Sequence, residues 1–188
     1  DEGIVHMGDG FRVEAFPLRH TKPCFGYTLR EDKRPGQFHP EQAANLKVPK
    51  GPLWAILQNG GEVTNTDGTV VHPEQVLGPQ REGRTFSYVT DTLWFPKIAS
   101  YVAQSDILLC EGMFEHALLD SAAEKKHMTS SQAAQVAKDA QVKQMGLIHY
   151  SPRYTDRELK QLLVEAKEIF PDTFLTKDRM EINLPLID

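Results

Sequence analysis

Apolar runs alternate with turn and polar residues along most of the chain, and this pattern predicts its elements. Before residue 31 the runs read as three strands: Gly3–His6, Phe11–Leu18 and Cys24–Arg30. From residue 84 strands and helices take turns: strands at 85–90, 106–110 and 144–148, helices near 95–104, 114–125, 130–141 and 155–169, and short strands near 173–176 and 180–184. Strands that alternate with helices indicate an α/β layer structure with parallel pairing.

Residues 31–83 follow a different pattern. They hold Pro and Gly at a density that breaks long elements, so we expect an excursion from the core with short helices at Pro40–Leu46 and Pro52–Gln58. Asp67-Gly68 predicts a hairpin between Glu62–Thr64 and Thr69–Val71. We name residues 31–83 the arm.

Three strand ends carry side chains that suit a divalent metal ion. His20 follows the second run, Asp91 follows the strand at 85–90, and His149 follows the strand at 144–148. Two imidazoles and a carboxylate suit zinc or a similar ion, and strand ends in open α/β folds are common ligand sites. Taken one at a time, each residue also has a structural reading: a hydrogen-bonded His, or an Asp that caps a helix near Trp94.

Composition excludes some classes of function. The 188 residues are 40% hydrophobic, enough for one domain with a core, and the net charge of −5 argues against a globally basic nucleic-acid binder. Cys24 and Cys110 form no metal or redox motif, which favours a reducing, cytoplasmic location. No apolar stretch approaches the length of a membrane span, so we expect no membrane partner. The start at Asp1-Glu2-Gly3, directly before a strand, looks like the middle of a protein.

Six motifs, in order, resemble one family. They are Pro17-Leu18-Arg19-His20 with Phe25-Gly26-Tyr27, Lys50-Gly51-Pro52, Ser87-Tyr88-Val89-Thr90-Asp91-Thr92, Cys110-Glu111-Gly112-Met113, His127-Met128-Thr129 with Ser131-Gln132-Ala133-Ala134, and Ile148-His149-Tyr150-Ser151-Pro152-Arg153-Tyr154. The chain resembles the C-terminal half of ribonuclease Z, the tRNA 3′-processing endonuclease of the metallo-β-lactamase superfamily.

The resemblance implies a fold and a division of the chain. Residues 1–30 and 84–188 would form half of a metallo-β-lactamase αββα sandwich, and residues 31–83 would be a flexible, protruding exosite arm that binds substrate. The complete enzyme would hold two zinc ions, with other divalent metals as alternatives. Its partners would be precursor tRNA and the missing N-terminal half, which carries the His-x-His-x-Asp-His motif. We also expect a homodimer, and we expect this chain alone to be inactive.

The resemblance assigns roles to eight residues. His20, Asp91 and His149 would bind metal, with Asp91 bridging the two ions, while His127, oriented by Glu111, would protonate the leaving oxygen. Substrate contacts would fall on Arg153, Gly51 and Pro52. Simpler readings stay open for several of them: His127 as a first-turn surface histidine, Glu111 as a solvated strand-end carboxylate, and Arg153 as a member of a surface ion pair. His6 reads as part of an edge strand and turn, and Cys110 as a small buried apolar residue.

Two departures from the family pattern concern the substrate. Thr90 replaces the Gly before the bridging Asp, and Cys110-Glu111-Gly112-Met113 stands where the family has His-Glu-Ala-Thr. The second change removes a hydroxyl that could contact RNA. It favours an alternative within the same fold, a hydrolase of small phosphodiesters, sulfate esters or lactones. A third hypothesis, a non-catalytic binding module, is disfavoured because His20, Asp91 and His149 are all present.

Overall fold

The computed structural model describes residues 2–186, and its α/β elements follow the predicted order. The strands are β1 Gly3–Gly8, β2 Phe11–Leu18, β3 Cys24–Glu31, β4 Val63–Thr64, β5 Val70–Val71, β6 Thr85–Val89, β7 Ile107–Glu111, β8 Gln144–Ile148 and β9 Thr173–Leu175. The α-helices are α1 Pro40–Asn45, α2 Pro52–Gln58, α3 Ile98–Tyr101, α4 Leu119–Lys125, α5 Ser130–Asp139 and α6 Asp156–Ile169. Short 3₁₀ helices lie at Pro73–Gln75 and His116–Leu118.

The chain divides into two compact units. Among the described residues, the first consists of residues 2–31 and 84–185, and the second contains residues 32–83. Within the first unit, the backbone N–H of Glu31 donates to the carbonyl of Arg84 at 2.9 Å. The guanidinium of Arg84 also pairs with the Glu31 carboxylate. The segment 32–83 therefore leaves and re-enters the first unit between two adjacent, paired residues.

A seven-stranded sheet organises the first unit. Its order is β1-β2-β3-β6-β7-β8-β9, with antiparallel pairs from β1 to β6 and parallel pairs from β6 to β9. Since β2 and β6 are both antiparallel to β3, β2 runs in the same direction as β6, β7 and β8. The carboxyl ends of these four strands therefore meet at one edge of the sheet.

Helices cover one face of this sheet. The core on that face includes Phe16, Val89, Leu108, Leu147 and Ala134, all buried. Alternation along each strand places the remaining side chains on the opposite face. On that face, residues paired across neighbouring strands form one row across the sheet. The row consists of Tyr27, Tyr88, Leu109, Gly146 and Phe174. Tyr27 is 43% exposed, although it belongs to this largely apolar row.

The second unit has a core of its own. Six buried apolar residues form a cluster separate from the main core, and five partly buried ones pack against it. The buried residues are Ala43, Val48, Leu57, Val63, Val71 and Val76. Backbone hydrogen bonds join Arg34 to Arg81 in both directions at 2.8 and 3.0 Å, so the two ends of this segment run side by side. Gly36 is required at this crossing, because a Cβ there would collide with the Gly78 carbonyl.

The structure corrects several predicted elements. The helix expected near 95–104 is reduced to α3, the helix expected near 114–125 begins as a 3₁₀ turn, and no strand forms at 180–184. Pro96 stands before α3, and the Ser105 hydroxyl donates to the Val102 carbonyl at 2.7 Å just after it. These features confine α3 to one turn. At the C-terminal segment, the Leu184 carbonyl accepts from the Arg84 side chain at 2.9 Å.

None of the helices among residues 2–186 is both long enough and apolar enough to cross a membrane.

Candidate metal centre and proton donor

The three predicted metal ligands converge at one edge of the sheet. His20 comes two residues after β2, Asp91 two residues after β6, and His149 directly after β8. Oδ2 of Asp91 lies 3.9 Å from Nε2 of His20, and Oδ1 lies 3.5 Å from Nε2 of His149. Each carboxylate oxygen of Asp91 thus faces a different imidazole.

The second nitrogen of His20 has a backbone partner. Nδ1 lies 3.0 Å from the carbonyl of Lys126, so this nitrogen carries the proton and Nε2 keeps its lone pair. The carbonyl is presented by Lys126, which ends α4 in the left-handed conformation with φ of 58°. A histidine whose outer nitrogen is bonded to a carbonyl is the arrangement typical of metal ligands.

His149 adopts a backbone conformation that is rare for a residue with a side chain. Its φ is 57°, in the left-handed region. The residues on either side are anchored: the backbone carbonyl of Ile148 accepts from Gly112 at 3.1 Å, and the side-chain hydroxyl of Tyr150 accepts from the backbone of Thr176 at 2.8 Å. Such strain persists only where the surroundings impose it, and it concentrates at functional sites. Here it turns the imidazole of His149 toward Asp91.

His127 joins the same cluster from the loop between α4 and α5. One donor atom each of His20, Asp91 and His127 lie within 4.8 Å of one another. The His127 ring centre is 4.9 Å from that of His20 and 5.3 Å from that of His149. His127 is only 8% exposed, so the reading as a surface histidine is wrong.

Glu111 fixes the orientation of His127. The carboxylate is fully buried at the end of β7, and both of its oxygens lie 3.1 Å from Nδ1 of His127. This bond raises the pKa of His127 against the opposing effect of burial. Because Nδ1 donates to Glu111, Nε2 is the nitrogen that faces the cluster. The reading of Glu111 as a solvated carboxylate is also wrong.

The charge state of Asp91 follows from its neighbours. Partial burial alone would raise its pKa, but the hydroxyl of Thr90, which donates to Oδ1 at 2.9 Å, and the nearby imidazoles of His149 and His127 lower it overall. The hydroxyl also gives a physical reason why Thr90 is accommodated where the family has Gly. Asp91 is therefore an ionised carboxylate at neutral pH, and it does not cap a helix near Trp94, because the next helix begins at Ile98.

Sequence reasoning missed the frame that holds these loops together. Glu111 accepts from the backbone of Thr92 and, at 3.2 Å, from that of Met128. The Thr92 hydroxyl accepts from the backbone of Arg19 at 3.0 Å and donates to the Leu93 carbonyl at 2.9 Å. These bonds join the loops that carry His20, Asp91 and His127. The sequence shows the Asp91-Thr92 and His127-Met128-Thr129 motifs, but it does not show which side chains bind their backbones.

The remaining predicted site residues lie in two places. Arg153 is exposed on the loop after β8, where Nε donates to Oγ of Ser151 at 3.1 Å and the guanidinium lies 5.1 Å from the centre of the Phe114 ring. No carboxylate pairs with Arg153 in the described chain, so the reading as a surface ion pair is wrong. Gly51 and Pro52 begin α2 in the second unit, where both are exposed.

Two residues of doubtful role are now placed. His6 lies in the edge strand β1, as predicted. Cys110 is fully buried in the main core, and burial raises its pKa well above the ordinary value, which suits an apolar packing role.

The donor set fits a divalent metal ion. It offers Nε2 of two imidazoles and both oxygens of one ionised carboxylate at the carboxyl-end edge of the sheet, and the outer nitrogen of His20 is fixed by the Lys126 carbonyl. A carboxylate whose oxygens face separate histidines is suited to bridge two cations.

Comparison with known proteins agrees with this arrangement. The chain is 57% identical, over all 188 of its residues, to a protein of Treponema denticola named ribonuclease Z. It covers 61% of that protein, and it spans about 60% of the length of the curated relatives it matches. No protein-family model matches the chain.

Solved structures show the same fold. A short form of human tRNase Z superposes with a TM-score of 0.58 at 20% identity, covering 98% of this chain and 47% of that one. A metallo-β-lactamase fold protein from Bacillus subtilis superposes with a TM-score of 0.57 at 16% identity, covering 92% and 48%. The resemblance to ribonuclease Z is confirmed, and the chain has the fold of about half of a metallo-β-lactamase-fold protein.

Proposed function

We propose that this chain is part of a zinc-dependent endoribonuclease that removes the 3′ trailer from tRNA precursors. One observation carries the proposal: a chain 57% identical to a ribonuclease Z brings His20, Asp91, His127 and His149 together at the carboxyl ends of its strands. The whole protein's activity is the subject of the proposal, because the chain spans about 60% of such relatives.

The geometry of the cluster supports an assignment of the metal-binding residues. His20 and His149 would each hold one of two zinc ions through Nε2, and Asp91 would bridge them with its two oxygens. Bound zinc would supply Lewis-acid stabilisation of phosphate charge and lower the pKa of water. The remaining ligands would come from the His-x-His-x-Asp-His segment outside this chain.

His127 would protonate the oxygen that leaves the scissile phosphate. Its Nε2 faces the cluster, its Nδ1 is committed to Glu111, and the Glu111 hydrogen bond raises its pKa, which favours the protonated form needed in a donor. Glu111 acts on the reaction through His127. It is a positioning residue that also stabilises the positive charge on the ring.

Residues 32–83 would contribute binding to tRNA remote from the cut. Their own apolar core supports a folded binding element, and Gly51 and Pro52 are exposed at the start of α2 on it. The backbone of Gly51, with φ of 148°, is open to close approach because no side chain covers it. Contacts of this kind would position the substrate without reading its sequence.

The other half of the protein would cover the free face of the sheet. The row from Tyr27 to Phe174 is apolar and only partly covered among the described residues, as expected of a sheet that packs on a second sheet. A cytosolic location and a homodimer belong to the same proposal. The free thiols of Cys24 and Cys110 support the former, and sedimentation of the whole protein tests the latter.

A second candidate function is favoured by Gly112 and Met113. These residues lack the hydroxyl that an RNA-binding loop would offer, so a hydrolase of small phosphodiesters, sulfate esters or lactones is the alternative. The two candidates are separated by substrate size, because only the first needs the segment 32–83.

The test is a cleavage assay with the whole protein. We expect zinc to copurify at two ions per active site and a precursor tRNA to be cut at the 3′ end of the acceptor stem. A small diester such as bis-p-nitrophenyl phosphate should be hydrolysed with a far lower kcat/KM. Efficient hydrolysis of the small ester with no cut in precursor tRNA would overturn the proposal in favour of the alternative.

A further inference from the structure

A second cation stands beside Arg153 at the edge of the candidate metal centre. Nζ of Lys125 lies 5.8 Å from the centre of the Phe114 ring, and the Arg153 guanidinium lies 5.1 Å from the same centre. Both distances are measured to one ring, so the two positive groups contact the same aromatic side chain although the residues lie in different parts of the chain.

The ring that both cations contact is held firmly. Phe114 is 1% exposed, its carbonyl accepts from Ser130 at 2.8 Å, and its N–H donates to Met128 at 3.4 Å. The His127 ring centre is 6.3 Å from that of Phe114. Phe114 therefore contacts both cations and lies beside the proposed proton donor.

Neither cation is neutralised by the protein. Within residues 2–186, no carboxylate oxygen lies within 4.0 Å of Nζ of Lys125 or of the guanidinium nitrogens of Arg153. The nearby carboxylate of Glu165 is engaged elsewhere, since it accepts from Ser130 Oγ at 3.1 Å and from the backbone of His116 at 2.9 Å.

Neighbouring contacts also restrict the position of each cation. Nε of Arg153 is occupied by Ser151, which is itself buried and bonded to the Met113 carbonyl at 3.2 Å, so the two terminal nitrogens remain for a ligand. Lys125 is the last residue of α4, directly before the left-handed Lys126 that binds His20. The chain segment whose carbonyl orients His20 therefore also positions Lys125.

We propose that Lys125 and Arg153, which both contact the Phe114 ring, form an anion cradle that binds one phosphate of the RNA backbone next to the scissile phosphate. Two cations without a counterion repel each other, and an anion bound by both relieves that repulsion. The guanidinium suits the planar, two-point contact with phosphate oxygens, and the ammonium adds a point charge. The proposal deepens the function above and rests on it only for the identity of the anion as RNA.

The first test uses the whole protein, with metal chelated so that no cutting occurs, and precursor tRNA over a series of salt concentrations. Lys125→Met keeps the stem and removes the charge. We expect a several-fold loss of affinity at low salt and a slope of log K against log salt that is shallower by about one. Arg153→Met should do the same, and the double variant should lose less than the product of the two, because both contacts serve one phosphate.

Lys138→Met is the matched control. Lys138 is an exposed lysine in the last turn of α5, at the end away from Ser130, and forms no ion pair with the described residues. It should leave the affinity and the salt slope unchanged. The cradle is overturned if Lys125→Met gives the same slope as Lys138→Met.

A second measurement separates the cradle from the proposed function. Inorganic phosphate is titrated into the whole protein while the Nε–H signal of Arg153 is followed by NMR. We expect a saturable shift that Lys125→Met weakens by several fold. A shift with no tRNA cleavage by the unaltered protein would refute the RNA function and keep the cradle, whereas cleavage with no shift would refute the cradle alone.

Discussion

Both carboxylate oxygens of Glu111 lie 3.1 Å from Nδ1 of His127, and this pair is buried beneath the candidate metal centre. The same carboxylate accepts from the backbones of Thr92 and Met128. Glu111 therefore sets the direction of one imidazole and the ends of two loops at once. The Glu111 hydrogen bond raises the pKa of His127, so it favours the positive form of the ring.

Replacing Glu111 with Gln tests this relationship. The amide keeps the shape of the side chain, but it removes the carboxylate charge and replaces one acceptor oxygen by an NH2 group, so one oxygen remains for the three donors of His127, Thr92 and Met128. We expect cleavage of precursor tRNA by the whole protein, which needs a protonated leaving oxygen, to slow by about 10- to 100-fold while zinc content is retained. Zinc is measured by atomic emission. The exposed Glu158→Gln is the control, and loss of zinc in E111Q would contradict the positioning role.

The hydroxyl of Thr92 joins the loops of His20 and Asp91. It accepts from Arg19 at 3.0 Å, and the backbone of Leu93 donates to the Arg19 carbonyl at 2.8 Å. Thr92→Val keeps the volume and leaves the Arg19 N–H without its buried partner, which costs about 1–3 kcal/mol of stability. We expect zinc affinity to fall as well, because Arg19 directly precedes the proposed ligand His20. Thr92→Ser keeps the hydroxyl and should therefore keep both the stability and the zinc affinity.

A buried threonine away from the site provides the control for that change. Thr28 is fully buried and its hydroxyl bonds to Ser87 at 2.8 Å. Thr28→Val should lower the free energy of unfolding by a similar amount with zinc affinity unchanged. Equal losses of zinc affinity in the two Val variants would mean that Thr92 acts only on global stability.

The strand ends were predictable because their chemistry is local. A buried run that stops at His20, Asp91 or His149 can be read from alternation and turn residues alone, and the sheet topology then brings parallel strand ends together. The ends of β2 and α2 were also predicted to the residue, since Pro17-Leu18 and Pro52 mark clear boundaries.

The features that were not predictable depend on distant partners. No glycine at position 149 predicts the left-handed φ of 57° that His149 adopts, because contacts of the neighbouring residues impose this conformation. From its own position in the sequence Glu111 reads as a strand-end carboxylate, and only the family resemblance assigned it to His127; its hydrogen bonds from Thr92 and Met128 come from distant loops. Likewise, the apolar residues of 31–83 gave no periodic signal, since their core is assembled from short elements joined by turns.

The segment 32–83 can be removed with little expected strain. Because the backbones of Glu31 and Arg84 are hydrogen-bonded at 2.9 Å, a short Gly-Ser linker can join them. In the whole protein we expect this deletion to preserve hydrolysis of a small phosphodiester within about three-fold and to reduce precursor tRNA processing by about 100-fold or more, since the segment holds no proposed metal ligand. Comparable losses on both substrates would show that the segment supports the site itself.

The last prediction separates proton donation from metal binding. One donor atom each of His20, Asp91 and His127 lie within 4.8 Å of one another, so distance alone would allow His127 either role. His127→Ala in the whole protein should lower kcat by about 10²–10⁴-fold with zinc retained, because a leaving-group acid acts in the transition state. Asp91→Ala should remove zinc and activity together, because its two oxygens face the two histidines proposed to hold the ions. A substrate with a good leaving group, such as a p-nitrophenyl ester, needs little protonation, so it should recover much of the rate in H127A and none in D91A. If H127A lost as much zinc as D91A, His127 would be a ligand, and the proton donor would have to be another group at this edge of the sheet.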